Sequence, residues 1–358
     1  MPTSSTPLVL VSGSGRSGTS SLAGTLKRLG LHVPQPEVEA SETNPRGFYE
    51  PQWVIDFHKR HLKELALFNI DSRPAAVDIV ARHVGTGLPT GELHEWLSGQ
   101  LAEYDQAGDQ IVVKDPHAFW FAQVWEVVSA ELGADLRWLT ALRHPAEVVG
   151  SQDITWGEGR RSDAERRVKE TSNTAAWLNV ALVTEQGSRG APRAFLRYDD
   201  LLTDWRTALG RVSDQLGLGL PLEEERGVDD FLDPGMRRSQ LTWDDIVLPD
   251  WLRGLAEDVW QQLGALVEDP LDPAVPAALD TARERYDAAY AEAVAVSLDE
   301  ARHRERRGTA GGATKIRGRL RAERARRRRA EERVRQLESG RGAGPGLARR
   351  VLARVRRR

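Results

Sequence analysis

The chain contains no cysteine, which excludes disulfides and thiolate chemistry of any kind. It also lacks any run approaching ~18 consecutive apolar residues, so no membrane-spanning helix is expected. The first residues, "MPTSSTPLVLVSG", carry no basic segment ahead of the apolar run. A secretory leader is therefore not expected either. These absences lead to the expectation of a cytoplasmic protein. With 358 residues, 40% of them hydrophobic, the chain has room for one large domain or two modest ones.

The net charge of −3 hides a strong segregation. Residues 301–358 hold 22 of the 50 basic side chains and only 5 of the 53 acidic ones. An acidic body over residues 1–300 thus precedes a basic tail over 301–358. The body as a whole repels nucleic acid, and no specific nucleic-acid partner is expected. The tail includes "RARRRR" at Arg324–Arg329 and "LARRVLARVRRR" at Leu347–Arg358. Such runs are solvated in most proteins. The alternative is peripheral contact with an anionic membrane, at its inner face for a cytoplasmic protein. A long charged helix is expected over Thr281–Arg307, with "GTAGGA" at Gly308–Ala313 as a flexible break.

Leu8–Val11 reads as a buried strand, and Leu22, Leu26 and Leu29 have helical spacing. Further strands are expected at Gln110–Val113, Leu136–Leu142 and Ala194–Tyr198, with helical spacing over Phe121–Leu132 and Glu165–Leu182. Alternating strands and helices predict an α/β domain with a mostly parallel central sheet flanked by helices. In such sheets ligands bind beyond the C-terminal strand ends.

After the first strand comes "SGSGRSGTSS", Ser12 to Ser21. A glycine loop between strand and helix turns backbone N–H groups toward one point and so forms an anion site. Gly13, Gly15 and Gly18 satisfy G-x-G-x-x-G. A dinucleotide fold, however, needs a second strand ending in an acid about 20 residues later. The sequence there is the proline-broken "LHVPQPEVEA". A kinase or NTPase loop needs lysine where Thr19 stands. Asp115 could serve as the metal ligand of such an enzyme.

The stretch instead resembles the 5′-phosphosulfate loop of sulfotransferases that use 3′-phosphoadenylyl sulfate (PAPS). In that family a Lys or Arg precedes S-G-T-[TS], matched here by Arg16, Ser17, Gly18, Thr19 and Ser20. A second element, "LTALRHPAEVVGSQD", is similar to the family's 3′-phosphate site, an Arg at a strand end with a Ser eight residues on. Arg143 and Ser151 match it. The segment "FLRYDDLLTDWRTALGRVSDQLGL" resembles a structural stretch of the family, which gives Tyr198 and Asp200 no catalytic role. "FLDPGMRRSQ" is similar to a late basic loop, with Arg237 and Arg238 as nucleotide contacts.

The resemblance covers roughly residues 7–270. It implies a P-loop-like three-layer domain and PAPS as co-substrate, released as adenosine 3′,5′-bisphosphate. It further implies in-line transfer of a sulfuryl group to a hydroxyl, less readily an amine, of a carbohydrate or glycolipid. No metal is expected, because a sulfuryl group carries less charge than a terminal phosphoryl group. Arg16 and Arg143 are expected to grip opposite ends of the nucleotide.

For the chemical step, "ETNPRGFYEP" resembles the N-x-x-G-[FY]-x-E element of bacterial members and offers Glu50 as base. "VVKDPHAFW" offers Lys114 to assist the leaving group and His117 near the acceptor, with one residue more between them than in the branch that uses such a pair. Glu50 could instead only pair with Arg46, and His117 could simply start a helix. Trp53, His58, Trp120 and Trp156 flank these elements, either to stack on a sugar or to fill the core. Two rivals stay open: a P-loop kinase or NTPase, and a non-enzymatic polyanion-binding protein acting through its basic tail.

Overall fold

A computed structural model describes residues 7–42, 44–104, 110–156, 162–224, 226–233, 235 and 240–339. Four strands, β1 (Pro7–Ser12), β2 (Ile111–Lys114), β3 (Asp135–Leu142) and β4 (Arg193–Arg197), form one sheet in the order β2-β1-β3-β4. All three pairings are parallel, with Val9 opposite Val112, Leu10 opposite Trp138 and Thr140 opposite Phe195. Helices cover both faces, so the strands read as unbroken apolar runs rather than alternating ones.

Along each strand, successive side chains enter different cores. Leu8, Leu10, Ile111, Val113, Leu136 and Trp138 face one way. There they meet α2 (Gln52–Glu64), α3 (Ala76–Val84), α4 (Leu88–Tyr104), α5 (Ala122–Leu132) and α7 (Asp163–Gly187). Val9, Val11, Val112, Leu139, Ala141, Ala194 and Leu196 face the other way. They pack on α1 (Thr19–Arg28), α8 (Tyr198–Thr203), α9 (Trp205–Leu216) and α10 (Val228–Phe231). On α9, Trp205, Leu209, Val212 and Leu216 recur at three to four residues, the spacing of one helix face. The Ser162 and Glu165 capping box starts α7 two residues earlier than apolar spacing alone indicates.

The helix α6 (Pro145–Trp156) follows β3, and α11 (Asp250–Glu268) packs on α7 and β4. From β1 the chain crosses to β2, whereas from β3 it moves outward to β4. The loops after β1 and β3 therefore leave neighbouring strands in opposite directions, and a crevice opens between them.

The last helix, α12, runs from Ala274 to Ser339 without interruption. The break expected at Gly308–Ala313 is absent. Three glycines there cost roughly 1 kcal/mol each relative to alanine, but no proline removes a backbone donor and the flanks are rich in Ala, Arg and Glu. Contacts divide the chain into Met1–Ala288 and Ala289–Arg358. The arginine-rich end 340–358 lies outside the described residues. Among the described residues no helix is long and apolar enough to cross a membrane.

Candidate active site at the ends of β1, β2 and β3

The glycine loop is shaped by two close approaches. Gly13 has φ +136°, and a Cβ there would sit 2.6 Å from the Ala141 carbonyl oxygen of β3. Gly18 has φ +85° and caps α1; its Cβ would sit 2.1 Å from the Tyr198 ring. Both positions need glycine for space as well as for backbone conformation. Between them Arg16 is left-handed at φ 76°. The helix α1 begins with no capping side chain and no acid in its first turn. Helix starts leave several N–H groups without intrahelical acceptors, and their partial positive charge favours an anion.

Gly18→Ala is expected to lower stability by about 1–3 kcal/mol, because the added methyl overlaps a buried ring in a positive-φ position. Urea unfolding measures this directly; an unchanged midpoint would mean the loop and Tyr198 move apart freely.

The loops after β1 and β3 are joined. Arg143 Nη1 donates to the Arg16 carbonyl oxygen at 3.1 Å. Arg16 Nε donates to Ser151 Oγ at 3.0 Å. Arg143 Nε also donates to Glu147 Oε2 at 2.9 Å, and its guanidinium lies 5.2 Å from the centre of the Tyr198 ring. Arg16 thus reaches over to the Arg143–Ser151 element, and the two cations meet in one corner rather than standing at the opposite ends of a nucleotide expected from the sequence. The reason is topological: β1 and β3 are adjacent, so the residues following them are neighbours. Arg16, Gly18, Thr19, Ser20, Arg143 and Ser151 line a single cleft of about 160 Å³. Ser17 is not on that wall. It is buried under the loop, where its N–H closes a turn onto the Ser14 carbonyl at 3.1 Å. Arg237 and Arg238 lie outside the described residues.

Five cleft residues escaped the sequence reading as site residues: Ser21, Asn44, Pro45, Arg46 and Tyr198. The resemblance of its segment to a structural stretch of the family makes Tyr198 read as structural; it begins α8 directly after β4, and its ring forms part of the cleft wall. Burial pushes its hydroxyl above the ordinary tyrosine range, so it stays protonated. Arg46 donates to the Phe231 carbonyl and lies 3.5 Å from Asp233. It therefore does not pair with Glu50.

Glu50 pairs with Lys114 instead. Lys114 ends β2, is almost wholly buried, and donates both to Glu50 and to Ser20 Oγ, the latter at 3.3 Å. The Glu50 and Lys114 side chains are thereby tied to the first turn of α1, at the edge of the cleft.

His117 follows in a second cluster. It precedes a single 3-10 turn, Ala118–Phe121, and so does start a helix. Its Nδ1 also bonds to Asp115 Oδ1 at 2.5 Å, while His58 Nδ1 bonds to Asp115 Oδ2 at 2.5 Å. The Trp125 indole donates to His58 Nε2. Burial alone would raise the Asp115 carboxyl, but the charges and hydrogen bonds of His117 and His58 outweigh it and hold it well below the usual carboxylate range. Burial lowers His58, overriding the attraction of Asp115. With both oxygens engaged by imidazoles, Asp115 is a poor metal ligand for a nucleotide, the role a kinase reading would give it. The orienting contact of Asp115 on His117 had no local signal beyond a two-residue separation.

Of the two roles open to the flanking aromatic and histidine side chains, sugar stacking or core filling, most take the second. His58 is fully buried and stacked on Phe121 at 4.8 Å. Trp53 stacks on Trp96 at 4.9 Å, and Trp120 is buried with its N–H on the Asn69 carbonyl. The Trp156 side chain lies outside the described residues.

No family model matches this chain, and no curated protein matches it. Among solved structures it is similar to the sulfotransferase domain of the Synechococcus PCC 7002 olefin synthase. The identity is 18% and the TM-score 0.40, over 74% of this chain and 97% of that one. It is also similar to a sulfotransferase domain from the curacin biosynthetic pathway, at 18% identity and TM-score 0.40, over 72% and 98%.

Proposed function

We propose that this chain is a sulfotransferase that moves a sulfuryl group from PAPS to a hydroxyl, less readily an amine, of a carbohydrate or glycolipid. One observation carries the reading. The Arg16–Ser151 hydrogen bond and the Arg143 bond to the Arg16 carbonyl gather two guanidinium groups, a serine hydroxyl and an uncapped helix start in one cleft. The position that holds lysine in a nucleoside-triphosphate loop is meanwhile Thr19. Such a cleft has donors for two anionic groups on one small molecule, as a doubly phosphorylated adenosine presents.

In this proposal the first turn of α1, with Thr19 and Ser20, receives the 5′ phosphosulfate. Arg143 and Ser151 receive the 3′-phosphate, and Arg16 stands between them. Glu50 takes the proton of the acceptor hydroxyl as the new S–O bond forms. The bond from sulfur to the phosphate oxygen breaks, and the electron pair leaves on that oxygen, whose charge Lys114 neutralises. His117, oriented by Asp115, stands near the acceptor. Arg237 and Arg238 belong to the same proposal as nucleotide contacts, and the arginine-rich segment after residue 300 as a peripheral contact to anionic membrane. The catalytic domain is placed within residues 1–300, on the cytoplasmic side.

The test is turnover in EDTA. Incubation with PAPS and carbohydrate or glycolipid acceptors is expected to release one adenosine 3′,5′-bisphosphate per sulfated product. Formation of ADP from ATP in a parallel assay with Mg²⁺ and no EDTA, with PAPS untouched in both, would replace this reading with a kinase or NTPase.

A further inference from the structure

Helices α2 and α3 bring together three metal-ligating side chains, none of which lines the cleft. His61 Nδ1 lies 2.8 Å from His83 Nε2 and 3.8 Å from Glu64 Oε2, and the three donor atoms fall within 4.8 Å of one another. His61 and Glu64 stand three residues apart on α2 and so share a face. His83 comes from the last turn of α3.

We propose that His61, His83 and Glu64 bind one zinc ion that clasps α2 to α3. Two imidazoles and a carboxylate are borderline-to-hard donors of the kind zinc accepts, with water completing a tetrahedron. Calcium and magnesium would want mostly oxygen ligands. Tetrahedral nitrogen ligands about 2.0–2.1 Å from zinc stand roughly 3.3 Å apart, so the two rings need to separate by only about half an ångström.

The surroundings of His61 point the same way. Its side chain is fully buried, with Phe57 edge-on at 4.7 Å, so the ring is fixed with Nδ1 toward His83. Its Nε2 is buried without a hydrogen bond and lies 3.6 Å from Glu92 Oε2. Glu92 is itself held by Arg60. A metal on Nδ1 places the ring proton on Nε2, facing that carboxylate. This carboxylate–histidine–metal arrangement orients ligand histidines and raises their basicity. Glu64 remains half exposed, which leaves the ion a route from solvent. The zinc would have no part in sulfuryl transfer. It would fix the helix that begins two residues after Glu50 and carries His58 one turn before His61.

The experiment uses the full-length, untagged, chelator-stripped protein, titrated with zinc against a chromophoric chelator and with Co²⁺ by visible absorption. One zinc per chain is expected, with a zinc-dependent rise in melting temperature and Co²⁺ bands of tetrahedral intensity. His83→Ala and Glu64→Gln are each expected to weaken zinc at least about tenfold. Glu92→Gln, which removes none of the three ligands but alters the carboxylate facing His61 Nε2, is expected to weaken it by a similar factor. No saturable zinc uptake, or uptake that His83→Ala and Glu64→Gln leave unchanged, would overturn the proposal.

Discussion

Arg143→Ala is expected to weaken binding of adenosine 3′,5′-bisphosphate about 100-fold, while AMP binding changes by only a few-fold. Arg143 is buried, directly follows β3, and stands beside Ser151, Arg16 and the Tyr198 ring. Hydrogen bonds to charged groups contribute roughly 1.5–3 kcal/mol each. A fork-like guanidinium on one phosphate therefore accounts for two decades of affinity. The substitution also leaves buried Glu147 without its arginine, which destabilises the protein in its own right. AMP is the internal control for that. If the cleft collapsed, both nucleotides would lose affinity together, whereas loss of a 3′-phosphate contact affects only one. Isothermal calorimetry with the two ligands separates these outcomes.

Glu50→Gln is expected to lower sulfuryl transfer by about 10²–10⁴-fold, the range for removing a positioned general base, with nucleotide affinity nearly unchanged. Glutamine keeps the shape and can still accept from Lys114, so the helix start that Lys114 touches through Ser20 is preserved. The ion pair makes Glu50 and Lys114 one unit. Lys114→Ala and the double variant are then expected to be far from additive with Glu50→Gln. Single-turnover rates with saturating donor provide the measurement. A variant with full turnover would remove Glu50 from the step and leave His117, already oriented by Asp115, as the proton acceptor.

Much of this architecture is legible in the amino-acid order. Strands covered on both faces by helices are short apolar runs ending in glycine, lysine or arginine, and Leu8–Val11 and Leu136–Leu142 fall within one residue of β1 and β3. The glycine loop and the Arg143–Ser151 pair are local patterns, so their residues can be matched to the family elements they resemble within one short stretch each. Their convergence is not local, since it depends on β3 lying beside β1 rather than beyond β2. Contacts between distant segments are the least visible. His58 and Asp115 are 57 residues apart and bond only because α2 packs across the end of β2. Arg46 reads as Glu50's natural partner at four residues' distance, yet the loop turns it to Phe231. For His58 and Trp120 the sequence allows sugar stacking or core packing, and their burial selects the core. Along α12, glycines that would end a marginal helix are carried by strongly helical flanks.

The central claim is that one cleft between β1 and β3 holds a nucleotide through phosphates at both ends. Calorimetry of the intact protein in EDTA, with adenosine 3′,5′-bisphosphate, AMP and 3′-AMP in turn, tests it most directly. The account predicts the bisphosphate to bind at least about 100-fold tighter than either monophosphate, since each of those forfeits one of the two anion contacts. Equal affinity for all three, or tight binding confined to ATP in a parallel EDTA-free titration with Mg²⁺, would contradict it.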